Sequence, residues 1–224
     1  MKIIFDKRSP GGQNAGNHDA LPPYVVRVCR GAQQCQHAVM PGSDPTALLT
    51  AQILASGWPE FIASQVQPLR HHHQFRLAYA ACPNGCSQPH IADMGLLAFA
   101  PIAVQPELCS ACMACVAVCA EQALHVDDTV CLDRTRCLGC AACARVCPTG
   151  ALAITEPACR VVLGGKLGRH PRLAHELGLF SLPESLTVLA KTLELYMTHY
   201  RPGLRLGTLV KTLGQDQFDS LVRP

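Results

Sequence analysis

Apolar residues along the chain come in short blocks rather than long runs. Tyr24–Val28 and Phe75–Ala80 are compact, β-branched or aromatic stretches and predict two buried strands. Between them, Ser43-Asp44-Pro45 signals a helix start, with a cap and a proline in the first turn. Ala47, Leu48, Ala51 and Leu54 or Ala55 are read as its apolar face, and Gly57 as its stop. A further strand is expected over Gly95 to Val104. Short strands follow over Ala123 to Val126 and Thr129 to Leu132, around an Asp127-Asp128 turn, and over Ala151 to Thr155. Arg160 to Leu163 returns to the main sheet. Pro183 to Tyr200 reads as an amphipathic helix, with Leu186, Val188, Leu189, Leu193 and Leu195 supplying its apolar surface. Residues 1–23 are rich in Gly, Pro and Asn without periodicity, which predicts a flexible or wrapping arm.

The polar chemistry sits in the cysteines, of which the 224 residues hold 14. Cys109, Cys112, Cys115 and Cys119 are spaced C-x2-C-x2-C-x3-C. Cys137, Cys140, Cys143 and Cys147 repeat that spacing, with Pro148 following. This is the run that holds two 4Fe–4S clusters in bacterial-type ferredoxins, the fourth cysteine of each run ligating the other run's cluster. On that rule Cys109, Cys112, Cys115 and Cys147 hold one cluster, and Cys137, Cys140, Cys143 and Cys119 the second. Zinc sites come instead as two separated pairs, and disulfides need an oxidising compartment. Pro106 and Pro157 bracket the insert, giving an inserted two-cluster ferredoxin-like domain over 105–157. Cys131 and Cys159 fit neither spacing and read as ordinary buried cysteines.

Each of the first two strands runs into another cysteine pair. Cys29 and Cys35 are spaced C-x5-C, and Cys82 and Cys86 C-x3-C, so a β–α–β unit would place both pairs at the carboxyl ends of neighbouring strands.

These pairs resemble the cluster signature of the sirohaem-containing sulfite and nitrite reductases. RVCRGAQQC is followed by AACPNGCSQPHIADMGLLA, in which Asp93 and Gly95 match the family's pattern. VVLGGKLGRHPRLAHEL resembles its closing strand and loop, and LRLGTLVKTLGQDQF its tail. A two-cluster insert after C-x3-C is similar to the anaerobic and dissimilatory sulfite reductase subunits. The resemblance implies an α+β fold: a sulfite-reductase-like α/β half-unit over 24–104 and 158–224, with C-terminal helices. It implies a third 4Fe–4S cluster on Cys29, Cys35, Cys82 and Cys86, with Cys86 bridging to a sirohaem iron that reduces sulfite or nitrite by six electrons. Arg76, Lys166 and Arg169 are the candidate catalytic cations; Arg30, Lys166 and Arg169 are candidates for binding the cofactor. Related reductases carry a Lys-x-Lys pair where this chain has Gln74-Phe75-Arg76, so Arg76 supplies one of the charges. His71, His72 and His73 either add positive charge or form a solvated loop, and the glycine-rich 164–169 segment either contacts tetrapyrrole carboxylates or is a structural turn.

The expected electron donor is a ferredoxin or a flavin subunit. Family members carry a longer N-terminal part that covers the sirohaem, so a second subunit completing the pocket is a candidate partner. A sirohaem-free electron-transfer subunit is the alternative reading. The net charge of +3 and scarce aromatics point away from nucleic acid. The apolar run Met94 to Val104 is too short to span a membrane, and the residues after Lys2 do not resemble a signal peptide; a reduced cytoplasmic protein is expected.

Overall fold

The computed structural model describes residues 21–40, 42 and 44–224. Its centre is a five-stranded sheet of order β1-β2-β3-β8-β9. β1 (Tyr24–Val28), β2 (Phe75–Ala80) and β3 (Met94–Phe99) run parallel; β8 (Ala158–Leu163) and β9 (His175–Phe180) complete the sheet antiparallel. The molecule is therefore an α+β fold. β1 and β2 have the bounds that their apolar blocks predict, and the parallel register Tyr24↔Phe75 to Val28↔Tyr79 places both strand-end cysteine pairs at one end of the sheet.

Side chains alternate along β2, β3 and β8. Phe75, Leu77, Tyr79, Met94, Leu96, Ala98, Cys159, Val161 and Leu163 face the main core. That core is closed by α1 (Thr46–Ala55), α2 (Trp58–Gln65) and α5 (Leu182–Thr198), which pack on one another. Trp58, fully buried, stacks on Tyr196 with ring centroids 5.2 Å apart, meets Phe75 edge-on, and donates its indole N–H to Pro23 O at 2.9 Å. The opposite face carries Ala80, Leu97 and Val162 in a small separate cluster. This leaves one face of the sheet thinly covered beside the strand-end cysteines.

Several expectations are corrected. The buried side of α1 is Leu49 and Ile53, while Leu48 and Leu54 are half exposed. Ser43 lies outside the described residues; Asp44 does accept a hydrogen bond from Thr46 N at 3.0 Å. Residues 1–20 of the expected arm also lie outside them, and at its end Pro22 and Pro23 accept hydrogen bonds from Gln74 and Phe75. The strand expected over Gly95 to Val104 is broken at Ala100-Pro101. β3 stays in the main sheet, whereas β4 (Ile102–Val104) pairs with β7 (Leu152–Ile154). Pro101 has no N–H to continue a ladder. Cys131 is exposed on β6 (Val130–Leu132), opposite β5 (Leu124–Val126), because alternation turns it away from the side on which Val130 is buried. Cys159 is buried as expected, and burial pushes its thiol up to about 11.

α5 starts at a full capping box. Ser181 Oγ accepts from Glu184 N, and the Glu184 carboxylate accepts from Ser181 N at 2.8 Å. These bonds hold the Glu184 carboxyl below its usual range. Its contribution is thus present at neutral pH and is lost as pH falls through that lowered value. α6 (Leu206–Leu213) and α7 (Gln215–Val222) follow, and α7 is tied to β9 by His175–Asp219 at 2.7 Å. Ser181→Ala should lower stability by about 1 kcal/mol in urea unfolding. Trp58→Ala should lower it by about 3–5 kcal/mol.

Candidate iron–sulfur and anion site

The two cysteine runs share one backbone design. Residues two and four places after the first cysteine are left-handed in both: Ala111 (φ 53°) and Met113 (φ 62°) in the first, Gly139 (φ 69°) and Ala141 (φ 62°) in the second. A third matching pair, Gln122 (φ 49°) and Gly150 (φ 76°), follows the last cysteine of each run. Left-handed alanine, methionine and glutamine are unfavourable unless the surroundings impose them. Here the turns aim backbone N–H groups at sulfur: Ala111 N to Cys109 Sγ and Gly139 N to Cys137 Sγ, both 3.4 Å, and Ala123 N to Cys119 Sγ, 3.3 Å.

The runs also exchange their fourth cysteines. Cys109, Cys112, Cys115 and Cys147 line one small cavity, closed by Val126, Val130 and Leu152. Burial, then the nearby Cys137 and Cys140, and also Cys119, push the Cys143 thiol up to about 11. The short helices α3 (Ala114–Ala117) and α4 (Ala142–Val146) carry the chain from the third cysteine of each run towards the fourth.

At the sheet end, β1 runs into Cys29 and β2 leads through Ala81 to Cys82. Ala81 N donates to Cys29 Sγ at 3.1 Å, and Asn84 Nδ2 to Cys86 Sγ at 3.0 Å. The Cys82 thiol is raised first by burial and then by Cys86, Cys29 and Cys35, so all four cysteines lie within electrostatic reach of one another. Among the described residues no three His, Cys, Asp or Glu side chains group so as to hold a single metal ion. The soft all-thiol donor sets, with N–H groups turned on their sulfurs, fit iron–sulfur clusters.

A cavity of about 340 Å³ opens on the thinly covered sheet face, reaching from Ser87 and Gln88, just after Cys86, to His71 and Gln74, just before β2. Arg27 and Arg76 reach it from adjacent strands, with His71, Gln74, Gln88 and Leu167 at its walls. Of the cations singled out in the sequence, Arg76 lines it; Lys166, Arg169 and Arg30 do not. Lys166 is half-buried in a backbone bridge to Arg172, and Arg169 and Arg30 are exposed. Gln74 is buried and donates to Pro22 O at 2.9 Å. Arg27 is the residue that the sequence reading passed over. It lies two places before Cys29, on the same strand face as Val25, whose register partner is Arg76, and it donates to Gln88 Oε1 at 2.6 Å. A lone cation breaking an apolar strand was its signal.

Asp93 anchors the cavity from behind. It is fully buried and accepts from Arg76 N at 2.9 Å, with Arg205 3.2 Å away. Burial raises its pKa, and Arg205 opposes that shift. Gly95 follows because there is no room for more: a Cβ would sit 2.6 Å from Pro89 and 2.7 Å from Val162.

Fold and donor sets together define an iron–sulfur α+β domain. The chain belongs to the nitrite and sulphite reductase 4Fe-4S domain family, whose model matches residues 29–224. It is 33% identical over 194 residues to the coenzyme F420-dependent sulfite reductase of Methanocaldococcus jannaschii, covering 85% of this chain and 29% of that protein. The crystal structure of dissimilatory sulfite reductase I shares its fold, with a TM-score of 0.58 at 18% identity over 88% of this chain and 51% of that one. The NirA protein of Mycobacterium tuberculosis gives a TM-score of 0.49 at 17% identity, over 86% of this chain and 26% of that one. The chain therefore spans about a third of the curated relative and about half of the first structural one.

Asp93→Ala should lower stability by about 3–5 kcal/mol, because Arg205 loses its buried partner. A raised folded pKa means stability is lost as pH rises from the ordinary aspartate value through the folded one. Asp93→Asn should flatten that slope in unfolding curves measured across the acid range.

Proposed function

We propose that this chain is the iron–sulfur part of an oxidoreductase that reduces sulfite or nitrite by six electrons. On this reading Cys29, Cys35, Cys82 and Cys86 hold a 4Fe–4S cluster, with Cys86 bridging to sirohaem. Cys109, Cys112, Cys115 and Cys147 hold a second cluster, and Cys137, Cys140, Cys143 and Cys119 a third, within a ferredoxin-like segment over 105–157. The observation that carries the proposal is the strand-end cysteine set beside a cavity lined by two arginines. Ligands of α/β sheets collect at the carboxyl ends of parallel strands, where the four cysteines lie.

When bound, the sirohaem supplies the iron at which the anion is reduced. The chain's own residues do the rest. Arg27 and Arg76 offer permanent charge and forked donors suited to an oxyanion. Asp93 fixes the Arg76 backbone, and the Gln88 side-chain amide oxygen orients Arg27. Asn84 steadies the Cys86 thiolate. Leu167 walls the cavity on the 164–174 hairpin, which also carries Lys166 and Arg169; these two, with Arg30, remain candidates for tetrapyrrole carboxylates. A ferredoxin or flavin subunit supplies electrons, and a partner subunit completes the pocket. A sirohaem-free electron carrier is the second reading, favoured by Gln74, which turns its amide to backbone instead of offering charge.

Extraction of the anaerobically purified chain, made in a sirohaem-producing host, into acidic acetone tests the choice. An isobacteriochlorin pigment supports the reductase, whereas its absence from iron-replete protein leaves the carrier or a pocket that a partner subunit completes. Cys86→Ser should disturb the coupled centre and leave the other cluster signals intact. Arg76→Ala should weaken anion binding roughly tenfold to a hundredfold, the loss of one hydrogen bond to a charged group.

A further inference from the structure

The two cysteine runs match in backbone and differ in attachment. Described hydrogen bonds of Cys109 to Gln122 stay within residues 105–151. The second run is fastened twice outside the segment, to the end of β3 and to the loop after Cys35. Ala100 N donates to Gly139 O at 2.9 Å, and a Cβ on Gly139 would lie 2.4 Å from the Phe99 ring, so only glycine admits this approach. Arg145, between Cys143 and Cys147, donates through Nη1 to Cys140 O at 3.3 Å and through Nη2 to Ala38 O at 2.8 Å.

Ala38 belongs to the strand-end cysteine site. Its N–H bonds Cys35 O at 3.0 Å. The next residue, Val39, bonds Ala81 O at 2.7 Å, and Ala81 N in turn bonds Cys29 Sγ. A few hydrogen bonds thus lead from the Arg145 guanidinium to Cys29, Cys35 and the flank of Cys82. The corresponding place in the first run is Ala117, which can make no such link. Arginine suits the task because its rigid fork can hold two carbonyls at once and keeps its charge at every working pH.

We infer that the second cysteine run is the internal relay, the first run is the outward port, and Arg145 is a positioning residue. It holds the Cys137–Cys147 loop against the loop of Cys29 and Cys35. The inference rests on the proposed reading that all three cysteine sets hold clusters. With clusters bound, the step it positions would move one electron from the second-run site, which would be oxidised, to the strand-end site, which would be reduced. No bond or proton moves. The electron comes from a one-electron donor, a reduced iron–sulfur or flavin protein, at the first run.

The test is electron paramagnetic resonance of the anaerobic, cluster-loaded full chain reduced with dithionite, alongside its iron and sulfide content. Arg145→Met should keep iron and sulfide but lose the magnetic interaction between second-run and strand-end centres. Arg145→Lys should restore part of it, and Ala117→Met should leave it intact. An unchanged interaction in iron-replete Arg145→Met, or equal loss in Ala117→Met, overturns the assignment of Arg145. Should Arg145→Met fail to load, cysteine variants decide the order. Cys119→Ser, which strikes the second-run site, should remove the interaction seen by the strand-end centre, whereas Cys147→Ser should spare it; the reverse result overturns the order. Wild-type iron far short of three clusters would sink the underlying reading itself, a result distinguishable from the others.

Discussion

Parallel pairing of β1 with β2 is the constraint on which the site depends. The register brings Val28 level with Tyr79, so the chain leaves both strands at the same height. Cys29 N then bonds Tyr79 O at 3.0 Å, and the two cysteine pairs meet without any long loop having to be ordered. The same register sets Val25 beside Arg76 and brings Arg27 onto the Arg76 face. A slip of one residue would turn every one of these side chains to the other face. Position of sulfur and position of charge are one geometric fact here.

The sheet divides its labour between faces. One face is packed by Trp58, Tyr196 and the helices that carry them, and it supplies the apolar burial that stabilises the fold. The other is built from small residues and arginines, with Ala78 lining the cavity alongside Arg27 and Arg76. Asp93 joins the two functions. Its carboxylate holds a strand carrying a cavity-lining arginine and, through Arg205, the start of α6. Burying a charged pair there is unfavourable in itself, and its use is to fix geometry.

Much of this was legible in the sequence, and what was not has physical causes. The strands that lead into cysteine pairs could be read to the residue, because compact β-branched or aromatic blocks running into Cys leave no other assignment. The apolar face of α1 could not. TALLTAQILA is apolar almost all round, so periodicity does not single out Leu49 and Ile53 as the pair that Trp58 and α5 cover. α2 starts on Trp-Pro and spans only eight residues, too few for a clear period. β9 is obscured by Gly178 and by the register shift at Val161/Val162, which break its alternation. Arg27 was hidden because it stands inside a strand, whereas the eye goes to cations in loops such as Lys166 and Arg169. The cysteine spacing was plain, but the fastening of only one run outside the segment depends on contacts far apart in sequence, such as Arg145 with Ala38.

The place where the cysteine-run segment leaves and rejoins the sheet has a consequence for how such a chain is assembled. Phe99 and Ala158 are register partners on neighbouring antiparallel strands. Everything between them is, to the sheet, the connection of a hairpin. Lengthening a connection raises its closure cost only slowly, by about 0.6 kcal/mol for each doubling. The sheet can thus gain, lose or exchange what it carries at that point without changing its own register. What the sheet carries there becomes a replaceable cartridge, plugged in beside a strand-end site that stays as it is.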